Sequence, residues 1–232
     1  MKHFTFENNP FMRVMNWAYR VLVVSLLFSL TNILLVLCAL FLAVDPRNLG
    51  FFGLAMVPFG PSVVALLYVC DRHFEKLAVS PARDYAQGLI RFFGKGLGYW
   101  LPVWGLTAVF GADAWFFLTK GVIGRVTLPL FSLLIAAVLG LFVSLAYLQV
   151  RNPDQPMKAI WQRGLYFLGR RWFIALANAV LLLVIPVLMV IKPQFGMVIT
   201  PGLLGLLLYV NCEFLGKRAL WQAKAPSKEA NK

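Results

Sequence analysis

The sequence predicts an all-α membrane protein in which six helices span the bilayer. Residues 21–44 contain no Asp, Glu, Lys, Arg or His, and five more long apolar segments follow. About twenty such residues are enough for a helix to span a membrane. Hydrophobic residues make up 60% of the chain, compared with roughly 45–50% in a soluble domain. The predicted spans cover residues 21–44, 49–70, 99–119, 126–150, 172–191 and 196–212.

The Lys and Arg residues are distributed unevenly between the connections. Of the 22 in the chain, 18 fall in the termini and in the two long connections, residues 71–98 and 151–171. The other connections hold the remaining four. Basic residues accumulate on the cytoplasmic side of membrane proteins, so we expect both termini and both long connections to be cytoplasmic in a bacterial cell membrane. Topology therefore explains the net charge of +13, and we expect no nucleic-acid partner.

A short amphipathic segment precedes each pair of predicted spans. Each segment opens at a proline, which suits the first turn of a helix because its missing N–H would have no partner there. Basic amphipathic helices beside spans commonly lie in the headgroup plane. The sequence thus predicts three units of one amphipathic helix and one helical hairpin within a single domain, residues 1–232, although bilayer thickness alone would also give hairpins of similar length. The predicted interfacial helices cover residues 10–20, 81–96 and 156–171.

The polar sides of the second and third amphipathic segments are rich in Lys and Arg. On a helical wheel, Asp84 also falls on the polar side of the second segment. Such a basic side is a candidate surface for membrane lipid or for a partner protein. Topology control and solvation alone are the alternative explanation. The candidate residues are Arg83, Arg91, Lys95, Lys158, Arg163 and Arg170.

A few polar residues fall within or beside the predicted spans, where polar groups are costly and often functional. They predict either a polar pathway or a site for a coupling ion. The alternative is that the Asn side chains form interhelical hydrogen bonds and that the acids lie at span ends in contact with water. These residues are Asn32, Asp113, Asn178, Asn211 and Glu213. A separate cluster, Phe59-Gly60-Pro61, predicts a break in the second span.

No motif for catalysis or for a cofactor is present in the sequence. The phosphate-binding pattern GxxxxGK[ST] does not occur, and the only histidines are His3 and His73. Nine acidic residues are scattered along the chain, whereas a membrane enzyme would need a cluster of them at one depth. We therefore expect a protein that is not an enzyme and that holds no metal or cofactor.

Residues 54–100 resemble the YesL-like family of bacterial membrane proteins. The resemblance lies in the apolar run Pro61-Ser62-Val63-Val64-Ala65-Leu66, the exit Asp71-Arg72, and the aromatic and basic segment through Phe92 and Lys95. Residues 155–178 and 206–218 fit the same layout. The resemblance implies an accessory protein of carbohydrate ABC importers, with their permease subunits as partners. A stand-alone small-solute transporter or channel is the alternative, and it would need a polar path joining Asn32, Asn178 and Asp113.

Overall fold

The computed structural model describes residues 10–43, 45–75, 80–118, 120 and 122–223. Within these ranges every regular element is a helix, which confirms the all-α prediction. A short 3-10 turn, Pro46–Asn48, precedes the third α-helix. The α-helices are α1 (Pro10–Thr31), α2 (Ile33–Phe41), α3 (Leu49–Ala55), α4 (Phe59–Phe74), α5 (Pro81–Leu118), α6 (Val122–Arg151), α7 (Met157–Arg170), α8 (Trp172–Ile191), α9 (Pro193–Val198) and α10 (Thr200–Ala223).

Five segments of the described chain are long and apolar enough to cross a membrane. Large apolar side chains on these and neighbouring helices point outward, among them Phe41, which is 80% exposed, and Trp115, which is 67% exposed. Such an outer surface is typical of a membrane protein. The five segments are Val14–Thr31, Leu49–Phe74, Pro81–Leu118, Val126–Arg151 and Trp172–Ile191.

The sixth predicted span, residues 196–212, is not among these five segments. Its residues are divided between α9 and α10, and the helix is interrupted at Ile199, where φ is −122° and ψ is −40°. The polar residues Asn211 and Glu213 near its far end also lower the apolar content of α10. The count of six spans therefore stays a prediction.

Helix α4 forms the centre of the bundle. Every residue from Phe59 to Asp71 is buried, because this stretch is apolar on all sides and must be covered on all sides. Helices α1, α5, α6 and α10 provide that cover. The position of α4 therefore sets where the charged residues that follow it, beginning at Asp71, are placed.

The second predicted span breaks before α4, at residues 56–58, rather than within Phe59-Gly60-Pro61. Pro58 precedes the first residue of α4, and both Gly60 and Pro61 lie inside the helix. The indole N–H of Trp100 donates a hydrogen bond of 2.8 Å to the carbonyl oxygen of Met56. The same oxygen accepts the backbone N–H of Phe59 at 3.2 Å, so the bond from Trp100 ties the turn at the break to α5.

Helix α5 differs most from the prediction, because residues 81–96 and the span 99–119 form one continuous helix. Pro102 is accommodated inside it. Buried residues recur every three or four positions across the predicted boundary, so one face of a single helix packs against the core throughout. This stripe comprises Tyr85, Gly88, Phe92, Gly96, Tyr99 and Val103.

The first amphipathic segment is also continuous with the helix that follows it. Residues 10–20 belong to α1, and the predicted span 21–44 is interrupted at Asn32, where φ is −104° and ψ is 27°. Only the third amphipathic segment is separate, as α7, because Arg171 (φ −138°, ψ 47°) ends it before α8. The three-unit arrangement is therefore not confirmed.

Helices α4 and α5 pack closely enough that the substitution of Gly96 by Ala should destabilise the protein. A Cβ atom at Gly96 would lie 2.9 Å from the Cα of Pro61, which is backbone and cannot move easily. We expect a loss of about 1–3 kcal/mol, the usual cost of overpacking a core, measured by denaturant unfolding in detergent micelles. Gly94 is the matched control because a Cβ there meets nothing within 4 Å. Equal stability of Gly96→Ala and Gly94→Ala would contradict this packing.

Candidate functional site at the charged end of the bundle

Arg151, the last residue of α6, forms ion pairs with three carboxylates through its three guanidinium nitrogens. Its Nε lies 3.1 Å from Asp71 Oδ1. Its Nη1 lies 2.6 Å from Glu75 Oε1, and its Nη2 lies 2.8 Å from Glu213 Oε2. The ends of α4 and α6 and the middle of α10 therefore meet at one guanidinium group. We term this region, residues 68–75, 80–95, 147–158 and 209–213, the charged end of the bundle.

Two tyrosines support the same carboxylates. The Tyr209 hydroxyl donates a hydrogen bond of 2.8 Å to Asp71 Oδ1, and the Tyr147 hydroxyl donates one of 2.7 Å to Glu213 Oε2. Their rings also contact each other edge to face, with centroids 5.6 Å apart. Because each carboxylate accepts bonds from both a phenol and Arg151, the network is rigid as well as charged.

A second ion pair links the end of α4 to the start of α5. Arg72 Nε lies 2.9 Å from Asp84 Oδ1, and the Asp84 side chain is only 1% exposed. The prediction that Asp84 belongs to a water-facing side of α5 is therefore wrong, because the carboxylate is buried against Arg72. Its other oxygen, Oδ2, has no hydrogen-bond partner among the residues that the structure describes.

Five of the six predicted basic residues are exposed: Arg83 and Arg91 on α5, and Lys158, Arg163 and Arg170 on α7. Within the described residues, the ion pairs involve Arg72 and Arg151 but none of these five. Arg170 donates a hydrogen bond to the hydroxyl of Tyr166 on its own helix. The five side chains therefore carry positive charge that is not taken up by ion pairs in the described chain.

Lys95, the sixth predicted residue, has a structural contact instead. It is half-buried, and its Nζ donates a hydrogen bond of 2.7 Å to the carbonyl oxygen of Pro153. Gln149 donates to the same oxygen and accepts a hydrogen bond of 2.6 Å from the Tyr99 hydroxyl. These bonds fix the connection between α6 and α7, and hence the position of α7 relative to α5.

The five polar residues predicted within or beside the spans are not joined into one hydrogen-bonded group in the described chain. Asn211 donates a hydrogen bond of 2.7 Å to Asn178 Oδ1, so these two residues link α8 and α10. Asn32 is fully buried and donates to the Phe28 carbonyl oxygen of its own helical segment, while its Oδ1 has no partner in the described chain. Asp113 is half-buried on α5. Glu213 belongs to the Arg151 network.

A polar cavity of about 210 Å³ opens beside the Arg151 network. Three guanidinium groups, those of Arg72, Arg91 and Arg151, share its wall with the carboxylates of Asp71 and Glu75. Tyr68 and Phe92, whose ring centroids are 5.7 Å apart, also line the cavity, together with Val150 and Pro153. The cavity therefore presents both charges and aromatic surface within one small volume.

Of the residues in the Arg151 network, only Glu213 was predicted as a candidate site residue. A usable signal is present, because three helices each carry polar residues four positions apart, which places them on one face. The missing information is which helices come together, and this depends on tertiary packing rather than on local sequence. The pairs are Asp71 and Glu75, Tyr147 and Arg151, and Tyr209 and Glu213.

Among the described residues, no group of three or more His, Cys, Asp and Glu side chains is arranged to hold a metal ion. The carboxylates at the charged end instead surround guanidinium groups. The chain matches no protein-family model, and neither the curated proteins nor the solved structures contain a significant match to it.

Proposed function

We propose that this protein is an integral membrane accessory protein whose exposed basic residues bind a partner membrane protein. The observation that carries the proposal is the separation of charge at the charged end. Four carboxylates, those of Asp71, Glu75, Asp84 and Glu213, surround Arg72 and Arg151. The exposed cations on α5 and α7 form no ion pair with these acids, so an external acidic surface or anionic lipid is their natural counterpart.

The resemblance to the YesL-like family supports the choice of partner, a permease subunit of a carbohydrate ABC importer. The helices of the described chain carry no phosphate-binding motif, so transport powered by nucleotide hydrolysis would need such a partner. An accessory role fits a chain that consists almost entirely of membrane-type helices with one charged end.

The arrangement of the polar residues supports the accessory role over a stand-alone transporter or channel. A transporter needs a continuous polar path, but Asn32, Asn178 and Asp113 share no hydrogen bond in the described part of the chain. Asn178 bonds to Asn211 and Cys212 instead. Interhelical packing accounts for these amides, because asparagine commonly links helices in this way.

We propose further that the charged end faces the cytoplasm of a bacterial cell and that both termini lie on the same side. The support is the distribution of Lys and Arg, since 18 of the 22 fall in connections assigned to that side. Lys158→Cys in a chain lacking Cys38, Cys70 and Cys212 should react with an impermeant maleimide only after cell lysis. Labelling of this single-cysteine variant in intact cells would contradict the orientation.

Charge reversal at Arg83, Arg91 and Arg163 should weaken partner binding. Each exposed Lys or Arg contributes about 1 kcal/mol of attraction near an anionic surface, so Glu at all three positions should remove the permease subunit from complexes purified in mild detergent. The measurement is the ratio of permease to accessory protein recovered from native membranes, compared with that of the wild-type chain.

The matched control reverses three exposed cations that lie outside α5 and α7: Arg47, Lys120 and Lys192. This variant should recover the permease as well as the wild type does. Equal recovery with both triple variants would remove the basis for a recognition role of the basic residues. If the variant at Arg83, Arg91 and Arg163 loses bound anionic lipid but retains the permease, the basic residues bind lipid rather than protein.

A further inference from the structure

The polar cavity beside Arg151 has one charged group on its wall that the described chain leaves without a partner. The carboxylates on the wall, those of Asp71 and Glu75, both form ion pairs with Arg151. The guanidinium group of Arg91 lines the same cavity but forms no ion pair or hydrogen bond within the described chain. The group that this wall lacks is therefore an anion that contacts Arg91.

We propose that the cavity binds a phosphate group, carried either by a lipid headgroup or by free phosphate, with Arg91 as its main contact. A guanidinium group binds phosphate oxygens through two parallel N–H donors, a geometry that a lysine ammonium group cannot provide. Three guanidinium groups and two carboxylates line the cavity, so the charge of its wall also favours an anion. Its volume of about 210 Å³ is sufficient for a phosphate group and accompanying water.

The position of Arg91 is set by an aromatic pair that also lines the cavity. The Cζ atom of Arg91 lies 5.5 Å from the centroid of the Phe92 ring, a cation–π contact. Phe92 is buried and its ring packs against that of Tyr68, so it is a fixed support for the guanidinium group. Because a contact with a ring face leaves the N–H groups of Arg91 unused, they stay available to a ligand.

Glu75 distinguishes an anion from a cation as the ligand. Its side chain is 43% exposed and lies on the cavity wall, where it forms an ion pair with Arg151. A bound phosphate group would be repelled by this carboxylate, whereas a bound cation would be attracted to it. Glu75→Gln should therefore tighten the binding of a phosphate group.

The test is a titration of the purified full chain in mild detergent, at constant ionic strength, with inorganic phosphate and with dihexanoyl phosphatidylglycerol. Arg91→Gln should weaken the binding of phosphatidylglycerol, of inorganic phosphate, or of both by about tenfold, as expected for the loss of a hydrogen bond to a charged group. Glu75→Gln should bind the same probe more tightly than the wild type does. Dihexanoylglycerol, which has the same acyl chains but no phosphate, should not bind at this site.

The two probes identify the source of the phosphate group. Binding of phosphatidylglycerol alone assigns the cavity to a lipid headgroup. Binding of inorganic phosphate with similar affinity assigns it to free phosphate. In both cases the dependence on Arg91 is the supporting result.

Arg83→Gln is the matched control, because Arg83 is exposed on the same helix but does not line the cavity. It should bind the probes as the wild type does. Unchanged binding by Arg91→Gln would overturn the proposal, as would an equal loss with Arg83→Gln, which would indicate general attraction to a basic surface. Weaker binding by Glu75→Gln, or no binding of either probe to the wild type, would also overturn it.

This inference goes beyond the proposed protein partner and does not depend on it. The charge reversal Arg83→Glu with Arg163→Glu alters two exposed cations that do not line the cavity. It should weaken permease recovery while leaving the affinity for the phosphate probe unchanged, whereas Arg91→Gln should weaken the binding of that probe. The two proposals can therefore fail separately.

Discussion

The three ion pairs of Arg151 hold the charged end of the bundle together. A guanidinium group is planar and has donors on three nitrogens, so one side chain can bind three carboxylates in fixed directions. A lysine ammonium group lacks this planar geometry. The carboxylates come from Asp71 and Glu75 at the end of α4 and from Glu213 in α10. Because α4 is buried on all sides, its end determines where α6 and α10 must place their polar residues.

The Arg151 network and the Arg72–Asp84 ion pair also account for which cations have no acidic partner. Four carboxylates, those of Asp71, Glu75, Asp84 and Glu213, form ion pairs with Arg72 and Arg151. Exposed cations such as Arg83 and Lys158 form no ion pair within the described chain. The acids of the network are thus paired with Arg72 and Arg151, whereas the exposed cations of α5 and α7 lie outside it. The proposed recognition role of the exposed cations depends on this separation.

Hydropathy and charge predicted the parts of the fold that depend on local sequence. The span predicted at residues 172–191 coincides with α8, and the helix predicted at residues 156–171 coincides with α7 to within a residue at each end. The continuity of α5 was not predicted, because residues 81–96 have an amphipathic pattern and the residues after them an apolar one, and this change predicts two separate helices. The buried stripe through Gly96 and Tyr99 runs across that boundary.

The candidate site was harder to predict, because its residues come from distant segments. A helical wheel places Asp84 with the polar residues of α5, but its partner Arg72 lies in another helix, and only the packing of α4 against α5 brings them together. Arg151 likewise has no acidic residue near it in α6, so its own helix does not indicate that it forms ion pairs. The exposed positions of Arg83, Arg91, Lys158, Arg163 and Arg170 follow from local periodicity, and these were predicted.

A double-mutant cycle between Arg151 and Asp71 tests the central claim most directly. The free energy of unfolding in detergent micelles is measured for the wild type, Arg151→Gln, Asp71→Asn and the double variant. Arg151 is 28% exposed and the Asp71 side chain 11%, so the pair lies between an exposed and a buried ion pair. We expect a coupling free energy of about 1–3 kcal/mol. Additive effects, with a coupling below about 0.5 kcal/mol, would contradict the claim that Arg151 holds the charged end together.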